Sequence, residues 1–297
     1  MIMFKDGYLA GQRILVTGGG TGLGRENAAA AARLGATVYI CGRRRSVLEE
    51  AAAAINAETP GTIIPLECNL RSADSIEAMA DRIWQDGPLN GLVNNAAGNF
   101  ISRTEDISPR GFDAIAETVF RGTFLVTNAC GRRWIAGGDK GSVVSILVTW
   151  IWNGGPFTVP SAMSKAGVHI MTQSLAVEWA PKGIRLNAVC PGAFPTPGTV
   201  GRLTPLGKPA TSTNPMGRDG RMEELTNLVL FLLSPAAEYM TGQTMAIDGG
   251  GWQATGQNFA EFIHWTDRQW EEARAAARSI DAGERAKRAD IAPDKIG

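Results

Sequence analysis

"VTGGGTGLGR", residues 16–25, closes the apolar run "RILVTG" (13–18) and opens an alanine-rich segment that reaches about Leu34. A short apolar strand, a glycine turn and a helix in that order bring backbone N–H groups together at a helix N-terminus, a natural seat for an anion. Gly18, Gly22 and Gly24 supply the tight turn and the close backbone approach that a dinucleotide pyrophosphate requires. Thr21 and Leu23 complete the loop.

Outward from this loop the same rhythm repeats. "TVYICG" (37–42), "TIIPLEC" (62–68), "GLVNNAAG" (91–98), "SVVSILV" (142–148), "IRLNAVCPG" (184–192) and "TMAIDGG" (244–250) are strand-like runs separated by helical stretches. This alternation predicts an α/β fold, a Rossmann-type doubly wound parallel sheet of about seven strands. One domain is expected over residues 1–258, followed by a helical tail over 259–297. In the tail, Phe259, Phe262, Ile263, Trp270, Ala273, Ala277 and Ile280 share one helical stripe, suited to packing on the chain itself or on a second subunit. The Pro/Gly/Thr-rich segment 193–218 follows a strand's carboxyl end, where open α/β sheets bind ligands, and is expected to be a substrate lid.

Composition narrows the classes. The formal net charge is zero, so nothing favours nucleic acid or an anionic membrane as partner. No apolar run approaches the roughly 20 residues of a membrane helix, and neither a secretory leader nor a Ser-Lys-Leu terminus is present. A cytoplasmic location is the expectation. Cys41, Cys68, Cys130 and Cys190 form no Cys-x-x-Cys pair and keep no metal-ligand spacing with His169 or His264, so no metal is expected.

The end of the second strand selects the cofactor. An acidic residue there would accept from the adenosine ribose of NAD. This chain has no Asp or Glu between Ala36 and Leu48, and Arg43, Arg44 and Arg45 follow the strand. Guanidinium matches a phosphate, so NADP(H) is favoured, with Arg43 and Arg44 as its contacts.

These motifs, together with "NNAAG" (94–98) and Lys165 in "SKAGV", resemble the short-chain dehydrogenase/reductase family over roughly residues 10–252. The resemblance implies that Asn69 and Leu70 lie near the adenine, that Asn95 and Ala96 line the cofactor cleft, and that Pro191 and Thr196 sit on the nicotinamide side. It implies that Lys165 is catalytic and holds the nicotinamide ribose. "NNAAGNFISRTEDISPRGFDAI" (94–115) and "TVPSAMSKAGV" (158–168) are similar to the 2,4-dienoyl-CoA reductases, which reduce the conjugated diene of a fatty acyl-CoA with NADPH. The family usually places a tyrosine four residues before the lysine; here that residue is Ser161. Trp150 occupies a second position where some members carry a catalytic tyrosine. Arg121 and Val119 replace an asparagine and an acidic residue found in different members, and the family's serine falls at Val148 or Thr149. Ser161 is therefore the second catalytic candidate, with Trp150 and Arg121 as substrate contacts. Three readings stand at this point: an NADPH-dependent reductase of a conjugated enoyl thioester, a carbonyl or alcohol oxidoreductase, and an NADP-binding protein without turnover. A homotetramer is expected, paired through helices near 111–136 and 161–181.

Overall fold

The computed structural model describes residues 3–196, 214–255, 264–276 and 278. The chain separates into two compact units, Met1–Trp252 and Gln253–Gly297. The boundary expected at 258 falls among residues outside the described set, as do residues 197–213 of the expected lid.

All seven expected strands form: β1 (Arg13–Thr17), β2 (Thr37–Gly42), β3 (Thr62–Glu67), β4 (Gly91–Asn94), β5 (Gly141–Ile146), β6 (Ile184–Pro191) and β7 (Thr244–Ile247). They make one parallel sheet in the order β3-β2-β1-β4-β5-β6-β7. Among the described residues the helices are α1 (Gly22–Arg33), α2 (Arg45–Asn56), α3 (Ala73–Gln85), α4 (Pro109–Ala116), α5 (Gly122–Gly137), α6 (Trp150–Asn153), α7 (Val159–Trp179) and α8 (Met222–Leu233) in the first unit, with the short α9 (Gly251–Ala254) at the boundary. This is the doubly wound Rossmann-type architecture.

Strand alternation divides the apolar residues between two layers. Ile14, Val16, Val38 and Ile40 face a core shared with Ala28–Ala32 of α1 and Leu225, Val229 and Leu230 of α8. Leu15, Tyr39 and Cys41 face the opposite core, with Ile76 and Ile83 of α3 and Val126 and Trp134 of α5. Residues one apart on a strand point to opposite faces, so a sheet covered on both sides must be apolar throughout. The alanine run of α1 is all but fully buried. Side chains that small let the helix lie close to the sheet and hold its N-terminus against the end of β1.

One helical irregularity was not legible in the sequence. Residues Glu117–Arg121 form a π-helical turn between α4 and α5. Such turns shift the helical register by one residue; here Val119 is buried and Phe120 is turned outward, against the backbone of Gly167 on α7. In the second unit, residues 267–276 are helical and Trp265 meets Trp270 edge to face at 5.0 Å. Of the expected stripe, Trp270 and Ala273 lie in that helix; Phe259, Phe262, Ile263, Ala277 and Ile280 lie outside the described residues. No helix among the described residues is long and apolar enough to cross a membrane.

Arg185 on β6 holds the end of α8. Its guanidinium donates to the carbonyls of Leu232 (2.9 Å), Ser234 (3.2 Å) and Met240 (3.1 Å). These are helix-end and turn carbonyls without helical partners. Arg185→Ala should therefore lower unfolding free energy by on the order of 2–3 kcal/mol, since several part-buried acceptors lose a charged donor at once. Urea denaturation checks this; a change below about 0.5 kcal/mol would contradict the role.

Candidate active site

The strand order reverses between β1 and β4, and a cleft opens there at the carboxyl ends of the strands. This is where open α/β sheets bind ligands. Thr17, the last residue of β1, ties the two strands together. Its buried hydroxyl accepts from the backbone N–H groups of Asn95 and Ala96, both at 3.0 Å. Asn95 Nδ2 in turn donates to the Thr17 carbonyl at 3.0 Å. The phosphate loop is thus fixed to the loop after β4.

Within the loop, Gly18 and Gly22 have φ of +66° and +57°, which residues with a Cβ rarely adopt. Gly24 does not line the cleft; a Cβ there would overlap the Gly18 carbonyl and the Asn95 side chain. Its role is close packing behind the loop. Thr21 is the N-cap of α1, yet its side chain makes no capping hydrogen bond, and no acidic residue occupies the first turn. The helix N-terminus keeps its donors and its positive end open towards the cleft. These features fit the pyrophosphate of a dinucleotide.

Arg43 and Arg44 line the cleft at the end of β2, beside Asn69 and Leu70. Arg45 turns away and pairs with Glu49 at 2.8 Å. Two further arginines on this wall escaped sequence reasoning. Arg25 sits one residue beyond the last loop glycine and pairs with Glu26 at 3.2 Å. Arg71 donates to Thr118 Oγ1 at 3.2 Å and to the Ala114 carbonyl at 2.8 Å. Arg25 was legible in "GLGR"; Arg71 was not, because its place on the wall depends on the approach of α4.

Ser161, Lys165 and Trp150 come together at the other end of the cleft, with Pro191 and Thr196. Ser161 and Lys165 lie one turn apart on α7, on the same face. Lys165 is only 7% exposed, and its Nζ donates to the Ile146 carbonyl at the end of β5. Burial pulls its pKa down to about 8. The nearby Cys190 thiol is pushed up to about 12 by burial, so it stays neutral. Val148 lines the cleft but carries no hydroxyl, and Thr149 does not line it.

Arg121 is not brought into this group. Its guanidinium donates to the Arg71 carbonyl at 2.8 Å and it does not line the cleft. The π-helical turn carries it to that outer loop. The three tyrosines of the chain also stand apart. Tyr39 donates to Asp86 at 2.8 Å, Tyr8 stacks on Phe4, and Tyr239 is exposed; none lines the cleft.

Residues 18–251 match the family described as enoyl-(acyl carrier protein) reductase. The chain belongs to the short-chain dehydrogenase/reductase family. It is an oxidoreductase of that family, which implies a nicotinamide cofactor. A probable 2,4-dienoyl-CoA reductase of Caenorhabditis elegans, named for its (3E)-enoyl-CoA product, is 40% identical over 96% of this chain and 95% of that protein. A probable 2,4-dienoyl-CoA reductase of Bacillus subtilis, named for (2E)-enoyl-CoA, is 37% identical over 80% of this chain and 96% of its own length. The citronellol catabolism dehydrogenase of Pseudomonas aeruginosa superposes with a TM-score of 0.75 at 32% identity, covering 85% of this chain and 99% of that one. Levodione reductase gives 0.78 at 29% identity, covering 82% and 99%.

In this short-chain dehydrogenase/reductase the buried lysine costs stability. Its folded pKa of about 8 lies below the ordinary 10.5, so between those values the unfolded chain binds more protons and stability rises with pH. Lys165→Met should remove that rise and stabilise the ligand-free protein at pH 7 by on the order of 1–3 kcal/mol, less the cost of leaving the Ile146 carbonyl unpaired. Thermal unfolding at pH 7 and 9 checks both effects. A Lys165→Met protein that melts below wild type at pH 7 would contradict the argument.

Proposed function

We propose that this chain is an NADPH-dependent reductase of conjugated enoyl thioesters, with 2,4-dienoyl-CoA as the substrate class. The observation that carries the reading is a cleft with a buried lysine and a serine at its inner end and no phenol on its walls. Ketone reduction produces an alkoxide, which must be protonated on oxygen as it forms. A dienoyl thioester accepting hydride becomes an extended enolate, whose oxygen needs only hydrogen bonds and positive potential. Loss of the tyrosine is therefore far less damaging to enoyl reduction than to carbonyl reduction. The two relatives named as 2,4-dienoyl-CoA reductases support the same class.

When bound, the cofactor supplies the hydride. The open N-terminus of α1 binds its pyrophosphate, with Gly18, Thr21, Gly22 and Leu23 lining the approach and Gly24 packed behind. Arg43 and Arg44 receive the 2′-phosphate, and Asn69 and Leu70 border the adenine. Asn95, Ala96, Pro191 and Thr196 line the way to the nicotinamide. Lys165 has one protein acceptor shown, the Ile146 carbonyl, so the ammonium can also serve the nicotinamide ribose. Ser161 donates to the thioester oxygen, and Trp150 supplies a flat wall beside the conjugated chain.

A second reading, carbonyl or alcohol oxidation and reduction, is favoured by the likeness to levodione reductase. NADPH consumption with 2,4-dienoyl-CoA, ketone and alcohol panels separates the two. Turnover of ketones or alcohols with none of dienoyl-CoA would replace the first reading by the second; turnover of nothing would favour a non-catalytic NADP-binding protein.

Arg43→Ala should weaken NADPH binding about 10- to 100-fold while leaving NADH nearly unchanged, the worth of one charged hydrogen bond. Fluorescence titration with both cofactors tests it. Equal wild-type affinity for the two would contradict NADP selection.

The same reading includes a homotetramer paired through the outer faces of α5 and α7. Met163, Ile170 and Val177 recur every seven residues on α7, and all are exposed, Val177 at 79%. Phe120 and Phe124 are exposed beside them. Val168 on the same helix is instead core, with Met171 packed against its cluster and Leu175 against the core shared with α3 and α5. Ile170→Asp with Val177→Asp should shift the protein to smaller species by light scattering. A wild-type monomer at micromolar concentration would contradict the assembly.

A further inference from the structure

Two of the cysteines meet at the outer end of the cleft. Cys41 lies near the end of β2, and Cys68 is the first residue after β3. These strands are parallel neighbours, with Cys41 paired to Leu66 and Gly42 to Glu67. Residues two apart on a strand face the same way. Cys41 and Cys68 accordingly enter the same layer, the core shared with α3 and α5. Both also border the cleft, beside Arg43, Asn69 and Leu70, whereas Cys130 and Cys190 do not line it.

Their surroundings make the two thiols unequal. The Cys41 thiol and the Ser75 hydroxyl, whose Oγ stands 3.6 Å from the Cys68 sulfur, stabilise the Cys68 thiolate and hold its pKa below the ordinary thiol value despite burial. Ser75 Oγ accepts from the Asn69 N–H at 3.0 Å, which leaves its own hydrogen for the sulfur. In the thiol form Cys68 donates to the Ser75 carbonyl at 3.6 Å, a weak sulfur bond. Cys41 shifts the other way. Its contact with Cys68, then burial, push its thiol well above the ordinary value. A stabilised thiolate with a protonated thiol beside it is the arrangement of an attacking and a resolving cysteine. Burial pushes Cys130 and Cys190 up to about 12, so those two stay unreactive.

The backbone of this pair is tied to the cofactor loops. The Cys41 carbonyl accepts from the Gly18 N–H at 2.8 Å, and the Cys68 N–H donates to the Gly42 carbonyl at 2.9 Å. On straight neighbouring strands, residues two steps out of register have Cα atoms about 8 Å apart. A disulfide needs less than about 7 Å. Joining the sulfurs therefore moves the end of β2 or the loop after β3. The movement reaches the phosphate loop through Gly18 and the adenine side through Asn69.

We propose that Cys41 and Cys68 form a reversible oxidation site in the cofactor cleft, closed to a disulfide by a hydroperoxide and expelling the dinucleotide when closed. This goes beyond the substrate reading and rests only on the cleft's binding a dinucleotide. The Cys68 thiolate attacks one peroxide oxygen, the O–O bond breaks, and the second oxygen leaves and takes a proton from water. The Cys41 sulfur then attacks the Cys68 sulfenic acid. An S–S bond forms as the S–O bond breaks, and the Cys41 proton leaves with the hydroxyl as water. The two thiols lose two electrons and the peroxide gains them. A disulfide closed against the strand spacing is strained and readily reduced, so a dithiol reopens it. Both cysteines are buried behind the cleft wall, and a bound dinucleotide covers that wall. The loaded protein is shielded, and the empty one is open to oxidation.

The test treats the full chain with hydrogen peroxide, alone and with NADPH, and quenches with catalase. Non-reducing peptide mass analysis follows the crosslink, and fluorescence titration follows the dinucleotide Kd. The expected crosslink joins Cys41 to Cys68, raises the Kd at least ~10-fold, and is reversed with full affinity by dithiothreitol. With NADPH at ten times its Kd, about one molecule in eleven is free, so the crosslink should form roughly tenfold more slowly. Cys41→Ser removes the resolving thiol and should leave a Cys68 sulfenic acid that dimedone captures. Cys68→Ser should keep its own untreated affinity through peroxide treatment. A crosslink that leaves the Kd within about twofold overturns the proposal. So does a chain with neither crosslink nor dimedone label at Cys68, or a rate that saturating NADPH does not slow. If a serine variant does not fold, the wild-type crosslink, its effect on Kd and its protection decide. An untreated chain that binds neither NADPH nor NADH overturns the dinucleotide reading itself, and this proposal with it.

Discussion

The hydroxyl of Thr17 is the contact on which the rest of the site depends. It accepts two backbone N–H groups from the loop after β4, while the Asn95 amide closes the circuit onto the carbonyl of Thr17. These bonds join β1 to β4 where the strand order reverses, and so fix the two loops that border the cleft to one another. Gly18 and Gly24 lie directly against that junction, which is why neither tolerates a Cβ. A phosphate loop needs this stiffness, because its backbone donors act together only when their directions are set before the anion arrives.

The inner end trades stability for chemistry. An ammonium group buried to this degree with one carbonyl partner is an unfavourable element of a fold, and its depressed pKa measures the cost. The same burial makes the lysine a stronger acid than it is in water and removes competing water from its surroundings. The usual tyrosine of this family is absent from the cleft, so under the proposed reading charge stabilisation falls to Lys165 and Ser161. That division suits an extended enolate, which needs less from its oxygen donors than an alkoxide does.

The outer faces of α5 and α7 show a different economy. Their inward residues pack the core, yet Phe120, Phe124, Met163, Ile170 and Val177 remain exposed. The π-helical turn at Glu117–Arg121 contributes directly, since its extra residue turns Phe120 outward while keeping Val119 in the core. One local irregularity thereby shapes the outer surface and withdraws Arg121 from the substrate side.

By itself the sequence determined the sheet, the phosphate loop and most of the residues that line the cleft. Strand and helix periods are local, and the run from Val16 to Arg25 carries its own turn chemistry, so the seven strands and the loop follow from neighbouring residues. Arg43, Arg44, Asn69, Asn95, Ser161 and Lys165 were legible because each follows the carboxyl end of a strand or lies on the helix packed beside it. Tertiary structure alone decided the rest. It set Arg71 on the cleft wall, held Arg121 outside it, and separated Val168 of the core from Ile170 of the surface. Those placements depend on how α4, the π-helical turn and α7 approach the sheet, and a residue's own neighbours in the chain carry no record of that approach.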